Sequence, residues 1–138
     1  MLDTTTRAGA RAAERLRDEL IIWLTTVGAT GQPQSSPVWF LWDGETFLVY
    51  SQPRTAKLRN LAANPRVGLH LDGNGRGGDV VIVEGTASVE PDAAPADRVP
   101  EYVEKYRERI AANRWTPASF AADYSEAVRI TPLRARVW

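Results

Sequence analysis

The residues best suited to bind a ligand lie in one basic turn, the segment SQPRTAKLRN at positions 51–60. Thr55 is placed to be the N-cap of a short helix, so the free backbone N–H groups of the first helical turn would lie here. Acidic side chains normally occupy a helix start, but this segment has none and instead carries Arg54 and Lys57. A phosphate would use the N–H groups, both cations and the hydroxyls of Ser51 and Thr55. We interpret the turn as a candidate phosphate site; the alternative is a solvated basic turn.

Aromatic residues are concentrated on the three strands that we predict before this turn. Half of the twelve aromatic residues fall within 28 positions, namely Trp23, Trp39, Phe40, Trp42, Phe47 and Tyr50. Walls of this kind suit a flat, partly apolar ring. Pro37 lies inside the second predicted strand and cannot donate to a ladder, which indicates an edge, a bulge or backbone left free for a ligand. The alternative is an aromatic barrel core or an aromatic-rich interface.

Two further features suggest chemistry that the rest of the sequence does not support. The loop at positions 73–78 contains GxGxxG, but it precedes a predicted strand and not a helix, so we interpret it as a hairpin connection. His70 is the single histidine, and no nucleophile motif lies near it. The chain has no cysteine, which excludes thiol nucleophiles, zinc-thiolate sites and iron–sulfur centres, and a single histidine leaves the usual metal clusters out of reach. We expect no catalytic side chain and no metal, so an enzyme here would depend on a bound cofactor, and hydride transfer fits.

The composition predicts one globular domain over residues 1–138. The length suits a single core, and 43% hydrophobic with 25% charged residues is typical of a folded protein. The net charge is zero, so no global field attracts nucleic acid or an anionic membrane. No apolar run approaches the ~20 residues of a membrane span. The first 17 residues are polar and charged, without the apolar region of a signal peptide, and we expect a cytoplasmic protein.

The elements that must position these residues follow from periodicity and turn signals. We predict strands at 20–27, 34–42, 45–51, 66–72, 79–90 and 127–138. We predict helices at 7–18, 55–63, 95–113 and 117–124, with residues 1–15 as a peripheral N-terminal part. Two hairpins and a lone last strand do not form βαβ units. The order predicts an α+β fold, a six-stranded and mainly antiparallel sheet closed into a barrel with flanking helices.

Several of these segments resemble the pyridoxamine-phosphate-oxidase-like split β-barrels that bind flavins. The resemblance rests on GATGQP at 28–33, SSPVWF at 35–40, SQPRTAK at 51–57, NPRV at 64–67 and GTA at 85–87. The compact length and the ending from RWTP at 114–117 onward are similar to the branch that uses the deazaflavin coenzyme F420. The resemblance implies a six-stranded split barrel that forms a homodimer.

The resemblance also implies twelve cofactor-binding residues. Those that would line the ring, partly through their backbone, are Gln34, Ser36, Pro37, Val38 and Trp39. Those that would face the ribityl chain and the phosphate are Tyr50, Ser51, Arg54, Thr55 and Lys57, with Asn60 nearby. The site in such barrels lies between two subunits, so Trp115 would close it from the partner chain.

The activity implied is that of an F420-dependent reductase, which passes a hydride from the reduced cofactor to a small organic acceptor. Two alternatives stay open. One is an FMN-dependent oxidase or reductase on the same barrel, and the other is a carrier that binds the cofactor without turnover. True pyridoxamine-phosphate oxidases have a longer C-terminal part that recognises the substrate. This sequence ends at Trp138 without that part, so we do not expect oxidation of vitamin B6.

Overall fold

The computed structural model describes residues 1–138 as a curled, seven-stranded antiparallel sheet with four α-helices. The strands are β1 (Ile22–Val27), β2 (Pro33–Val38), β3 (Leu41–Trp42), β4 (Phe47–Ser51), β5 (Arg66–His70), β6 (Val81–Val89) and β7 (Glu126–Val137). Their order in the sheet is β2-β1-β5-β6-β7-β4-β3, and every neighbouring pair is antiparallel. The sheet curls into a half-barrel. The predicted α+β class and antiparallel pairing are therefore confirmed.

The helices are α1 (Arg7–Asp18), α2 (Ala56–Ala63), α3 (Pro100–Ala112) and α4 (Pro117–Asp123), with a 3-10 turn at Ala96–Arg98. Local sequence explains where they begin. The Thr6 hydroxyl accepts from the Gly9 N–H at 3.0 Å and caps α1. α4 begins with a capping box between Thr116 and Ser119. None of the helices is both long and apolar enough to cross a bilayer.

The second predicted strand, residues 34–42, is interrupted and forms β2 and β3, so the sheet has seven strands where six were expected. The interruption lies at Phe40. Its N–H donates to the Tyr106 hydroxyl at 2.7 Å, and its carbonyl accepts from the Lys105 ammonium at 2.8 Å. Side chains of α3 therefore satisfy backbone groups that a strand partner would otherwise bind. β2 lies at one end of the strand order, so of the three explanations offered for Pro37 the structure shows the edge strand.

The other irregular positions agree with the sequence. The pairing of β6 with β7 shifts register between Glu84 and Gly85, at the position where the apolar residues of the strand change face. A Cβ at Gly85 would lie 2.6 Å from the Thr131 carbonyl oxygen, so the close approach of the two strands requires glycine. The glycine loop at 73–78 joins β5 to β6 as a hairpin connection, which confirms that it does not open a helix.

Two apolar clusters share the sheet. One fills the half-barrel and includes Phe47, Val49 and Ile130. The other lies between the opposite face of the sheet and helices α3 and α4, and it includes Leu48 and Tyr50. All five residues of β4 are buried because successive side chains enter the two clusters alternately. β4 therefore carries Tyr50 and the following basic turn to the border between the sheet and the helices.

Lys105 lies at this border with its charge poorly solvated. Burial lowers the pKa of Lys105 to about 8, although the nearby carboxylates of Asp18 and Glu19 act in the opposite direction. The ammonium lies 3.8 Å from the centroid of the Phe40 ring, above its face. The folded protein therefore releases this proton at a lower pH than the unfolded chain does.

The pH dependence of the free energy of unfolding should report the lowered pKa of Lys105. Between pH 8 and 10 the unfolded chain binds more protons at this residue than the folded chain does. The free energy of unfolding therefore increases as the pH rises. Replacing Lys105 by Met removes this contribution. We expect the rise between about pH 7.5 and 9.5 to be smaller in Lys105→Met than in the wild type by roughly 1–2 kcal/mol. Urea denaturation at each pH measures the free energy of unfolding. Identical pH dependence in the two proteins would contradict the lowered pKa of Lys105.

Candidate functional site

A cavity of about 430 Å³ lies where β4 passes into α2, bordered on its other side by α3 and α4. Eight of the twelve predicted site residues line it. They are Pro37, Val38, Trp39, Tyr50, Ser51, Thr55, Lys57 and Trp115. Residues from two strands, β2 and β4, and from three helices thus meet in one cavity, although they are far apart in the sequence.

The remaining four predicted residues, Gln34, Ser36, Arg54 and Asn60, do not line the cavity. The Asn60 side-chain amide donates to the side-chain oxygen of Gln34 at 2.8 Å and to the Thr26 hydroxyl at 3.0 Å, so it connects α2 to β1 and β2. Ser36 lies on β2 opposite Leu24. Arg54 is exposed in a left-handed turn (φ 62°), and its carbonyl accepts from Arg59 at 2.6 Å. In this structure these residues support the site's surroundings and do not form its walls.

The start of α2 lacks the usual side-chain cap. Thr55 occupies the N-cap position with extended backbone, as predicted, but its hydroxyl does not accept from the helix. It lies instead 3.1 Å from the Ser51 hydroxyl, and Ser51 donates to the Gln52 carbonyl at 2.8 Å. No acidic residue occupies the first turn. The positive end of this helix is therefore not balanced by any side chain of the protein.

Lys57 carries a charge that nothing in the chain compensates. Its side chain is half-buried, and burial lowers the pKa of Lys57 below the ordinary value for a lysine. It forms no salt bridge and no hydrogen bond. No Asp or Glu is among the residues lining the cavity. An anionic group of a ligand would restore the balance of charge here.

The opposite wall of the cavity is aromatic. The Trp39 ring stacks on Tyr106 with centroids 4.6 Å apart and on Phe120 with centroids 5.2 Å apart. Trp115 meets Trp39 edge-on at 6.3 Å. The resemblance implied that Trp115 reaches the site from a partner chain, whereas here it lines the cavity of its own chain. The stacking fixes a rigid apolar surface beside the basic turn.

Helices α3 and α4 supply cavity residues that the sequence analysis did not identify. α3 contributes Tyr102 and Arg109, Asn113 follows at its C-cap, and α4 contributes Phe120. Tyr102 is fully buried and its hydroxyl has no hydrogen-bond partner. The spacing from 102 to 109 to 113 corresponds to one face of a helix and was the available signal. The sequence analysis did not use this spacing, because the apolar residues on the same helix face predict only a packed stripe.

Comparison with known proteins gives the family. Residues 9–138 match the sequence profile of pyridoxamine 5'-phosphate oxidase. The chain belongs to this family. The match covers all seven strands, and the family's split barrel is the fold that the sequence predicted. The family binds flavin-type cofactors and includes oxidoreductases.

Solved structures of proteins with different described functions share this fold. The conserved hypothetical protein Rv2991 from Mycobacterium tuberculosis is 26% identical with a TM-score of 0.72, over 96% of this chain and 85% of that one. A protein described as an F420 reductase is 25% identical with a TM-score of 0.65, over 89% and 94%. The heme storage protein HutZ from Vibrio cholerae is 20% identical with a TM-score of 0.69, over 96% and 95%. No curated protein matches the chain in sequence.

The ionisation of Lys57 can be measured directly because the chain has two lysines, Lys57 and Lys105. In ¹³C-lysine-labelled Lys105→Met protein, the single remaining lysine signal should titrate below the pKa of a free lysine side chain. The cause is burial of the ammonium without a partner. Denaturation in urea should restore the ordinary value. A signal that titrates identically in the folded and unfolded protein would show that Lys57 is solvated.

Proposed function

We propose that this protein is a deazaflavin-dependent oxidoreductase, in which reduced F420 passes a hydride to a small organic acceptor. The observation that carries the proposal is the unpartnered, half-buried Lys57 beside the uncapped start of α2, facing an aromatic wall across one cavity. Membership of a family that binds flavin-type cofactors supports a flavin-like ring. The F420 reductase among the similar structures supports the deazaflavin form of that ring.

The residues present fit a phosphorylated ring cofactor. The hydroxyls of Ser51 and Thr55, the Lys57 ammonium and the backbone N–H groups at the start of α2 would hold the phosphate. Pro37, Val38 and Trp39 would lie along the ring. β2 is an edge strand, so backbone groups on its outer side are free to meet the polar edge of a ring.

The chain's own contribution to the reaction is binding and orientation. A bound deazaflavin supplies the hydride-transfer chemistry. The cavity wall contains neither a carboxylate nor an imidazole, so we assign no general acid or base. Burial raises the pKa of the Tyr102 hydroxyl, which therefore stays a neutral hydrogen-bond donor. The stacked Trp39 and Phe120 rings keep water from one side of the site and fix the plane in which a flat acceptor would lie.

A heme, suggested by the description of HutZ, is less compatible with this cavity. The imidazole nitrogen is a common ligand of heme iron. The one histidine, His70, is exposed on β5 and stacks against Trp23 with centroids 6.2 Å apart. It is not among the cavity residues. The cavity therefore favours a phosphorylated organic ring.

We also propose that the protein acts as a homodimer, as in the barrels it resembles. Leu133 and Trp138, on and after β7, have 69% and 58% of their surface exposed, so their apolar surface is available to a second copy of the chain. Light scattering after gel filtration measures the mass. A monomer that binds the cofactor with full affinity would contradict the dimer and leave the cofactor proposal intact.

Titration with F420 and FMN side by side tests the proposed cofactor. We expect F420 to bind more tightly, and a ligand at ~100 times its dissociation constant should stabilise the fold by ~2.7 kcal/mol. Lys57→Met should weaken binding about tenfold or more because it removes a charge-assisted contact. Arg54→Met should have a smaller effect, since Arg54 does not line the cavity.

Arg76→Met is the matched control, because it removes one positive charge from the glycine loop, away from the cavity. It should bind the cofactor as the wild type does. If neither cofactor binds, or if Lys57→Met binds as well as Arg76→Met, the proposal fails. Turnover of enone and quinone acceptors with the reduced cofactor then separates an enzyme from a carrier, and tight binding without any turnover would indicate a carrier.

A further inference from the structure

One face of α3 enters the cavity from the side opposite the basic turn. Tyr102, Arg109 and Asn113 all line the cavity, seven and then four residues apart. This spacing places them on one face of the helix. Tyr106 lies between them on the same face and stacks on Trp39, which fixes the rotation of the helix relative to the cavity. The polar groups on this face are therefore presented to whatever occupies the space.

Arg109 has no carboxylate partner on its own helix. The residues three and four positions away, where a partner would stand, are Lys105, Tyr106, Ala112 and Asn113. Arg107, two residues earlier, does have such a partner and forms a salt bridge with Glu104 at 3.0 Å. Arg109 forms no salt bridge with any residue. It lies in the last turn of α3, where the helix dipole favours a cation, but the dipole provides no hydrogen-bond acceptor for a guanidinium.

Asn113 and Tyr102 supply further polar groups along this face. The Asn113 amide donates to the Arg109 carbonyl at 2.8 Å, so it is held next to the turn that carries the guanidinium. At the other end of the face, the buried Tyr102 hydroxyl has no partner within the protein. A buried hydroxyl without a partner is costly unless a ligand or water satisfies it. The Tyr102 hydroxyl is thus an independent polar group that a ligand in the cavity could satisfy.

The charge and shape of the cavity identify the ligand class. Lys57 and Arg109 are its two cations, and they stand on different walls with no acidic residue between them. The phosphate assigned above belongs to the Lys57 wall, which also has the two hydroxyls and the start of α2. The planar fork of an arginine matches a carboxylate in a two-point contact. The adjoining Trp39 and Phe120 rings provide a flat apolar surface for the rest of the ligand.

We infer that Arg109 and Asn113 bind the carboxylate of a flat, unsaturated or aromatic acid. The identification of this acid as the acceptor substrate rests on the proposed function, whereas its binding in the cavity does not. Arg109 would then determine specificity, because it favours acids over neutral molecules of the same shape. Tyr102, about two turns away along the helix, would donate to an acceptor atom elsewhere on the same molecule.

Calorimetric titration with cinnamate and cinnamamide tests this inference, because the two probes share a planar skeleton and differ in charge. The protein is titrated once saturated with the cofactor that it binds and once without cofactor. We expect the wild type to bind cinnamate at least about tenfold more tightly than the amide, as for a hydrogen bond to a charged group. Arg109→Gln should reduce this ratio to near one while binding the amide as before.

Arg107→Gln is the matched control, since it removes a guanidinium from the same helix outside the cavity, and it should keep the wild-type ratio. Equal affinity of the wild type for the two probes, or a ratio unchanged in Arg109→Gln, would overturn the inference. So would weaker cofactor binding in Arg109→Gln with the probe ratio intact, because Arg109 would then contact the cofactor. A cinnamate preference in a protein that binds neither cofactor would support this site and reject the proposed function.

Discussion

The arrangement of the strands and helices around the cavity depends on the hydrogen bonds between α3 and the backbone of Phe40. The Tyr106 hydroxyl accepts from the Phe40 N–H at 2.7 Å, and the Lys105 ammonium donates to the Phe40 carbonyl at 2.8 Å. These bonds end β2 and separate it from β3. Because Tyr106 also stacks on Trp39, the same residue that interrupts the strand fixes the aromatic wall of the cavity. It further donates to the Leu20 carbonyl at 2.8 Å, which joins the helix to the chain just before β1.

Burial makes the hydrogen bond between the Tyr106 hydroxyl and the Phe40 backbone costly to lose. The Tyr106 side chain is fully buried, and burial raises the pKa of its hydroxyl, so it remains a neutral donor and acceptor under ordinary conditions. Loss of the hydroxyl would leave the Phe40 N–H unsatisfied in the interior, which costs more than the hydrogen bond itself contributes. The position of α3 is therefore specified by polar geometry as well as by apolar packing. The polar face that it presents to the cavity follows from that position.

The sequence predicts the fold well wherever the determining interactions are local. The caps, the hairpin turns and the alternation along β5 all depend on neighbouring residues, and the bulge at Gly85 is visible as a change of apolar phase. The interruption at Phe40 could not be predicted, because residues 38–42 are a continuous apolar run and their partners lie 66 positions away. For the same reason the basic turn was identified from its own residues, whereas Arg109 and Tyr102 reach the cavity only through the packing of α3. Arg54 is the local exception, since its left-handed backbone conformation is not evident from residue type.

The use of lysine and arginine supports the interpretation of the cavity. The chain has fifteen arginines and two lysines, and burial lowers the pKa of both lysines. Burial disfavours the ammonium form, so interactions with polar or aromatic groups stabilise a lysine in such a position. Lys105 has a backbone carbonyl and an aromatic face for this purpose, whereas Lys57 has neither and lies beside an uncapped helix start. The protein thus stabilises the Lys105 ammonium from within and leaves the half-buried Lys57 ammonium without a partner, and the anionic ligand proposed above would account for this difference.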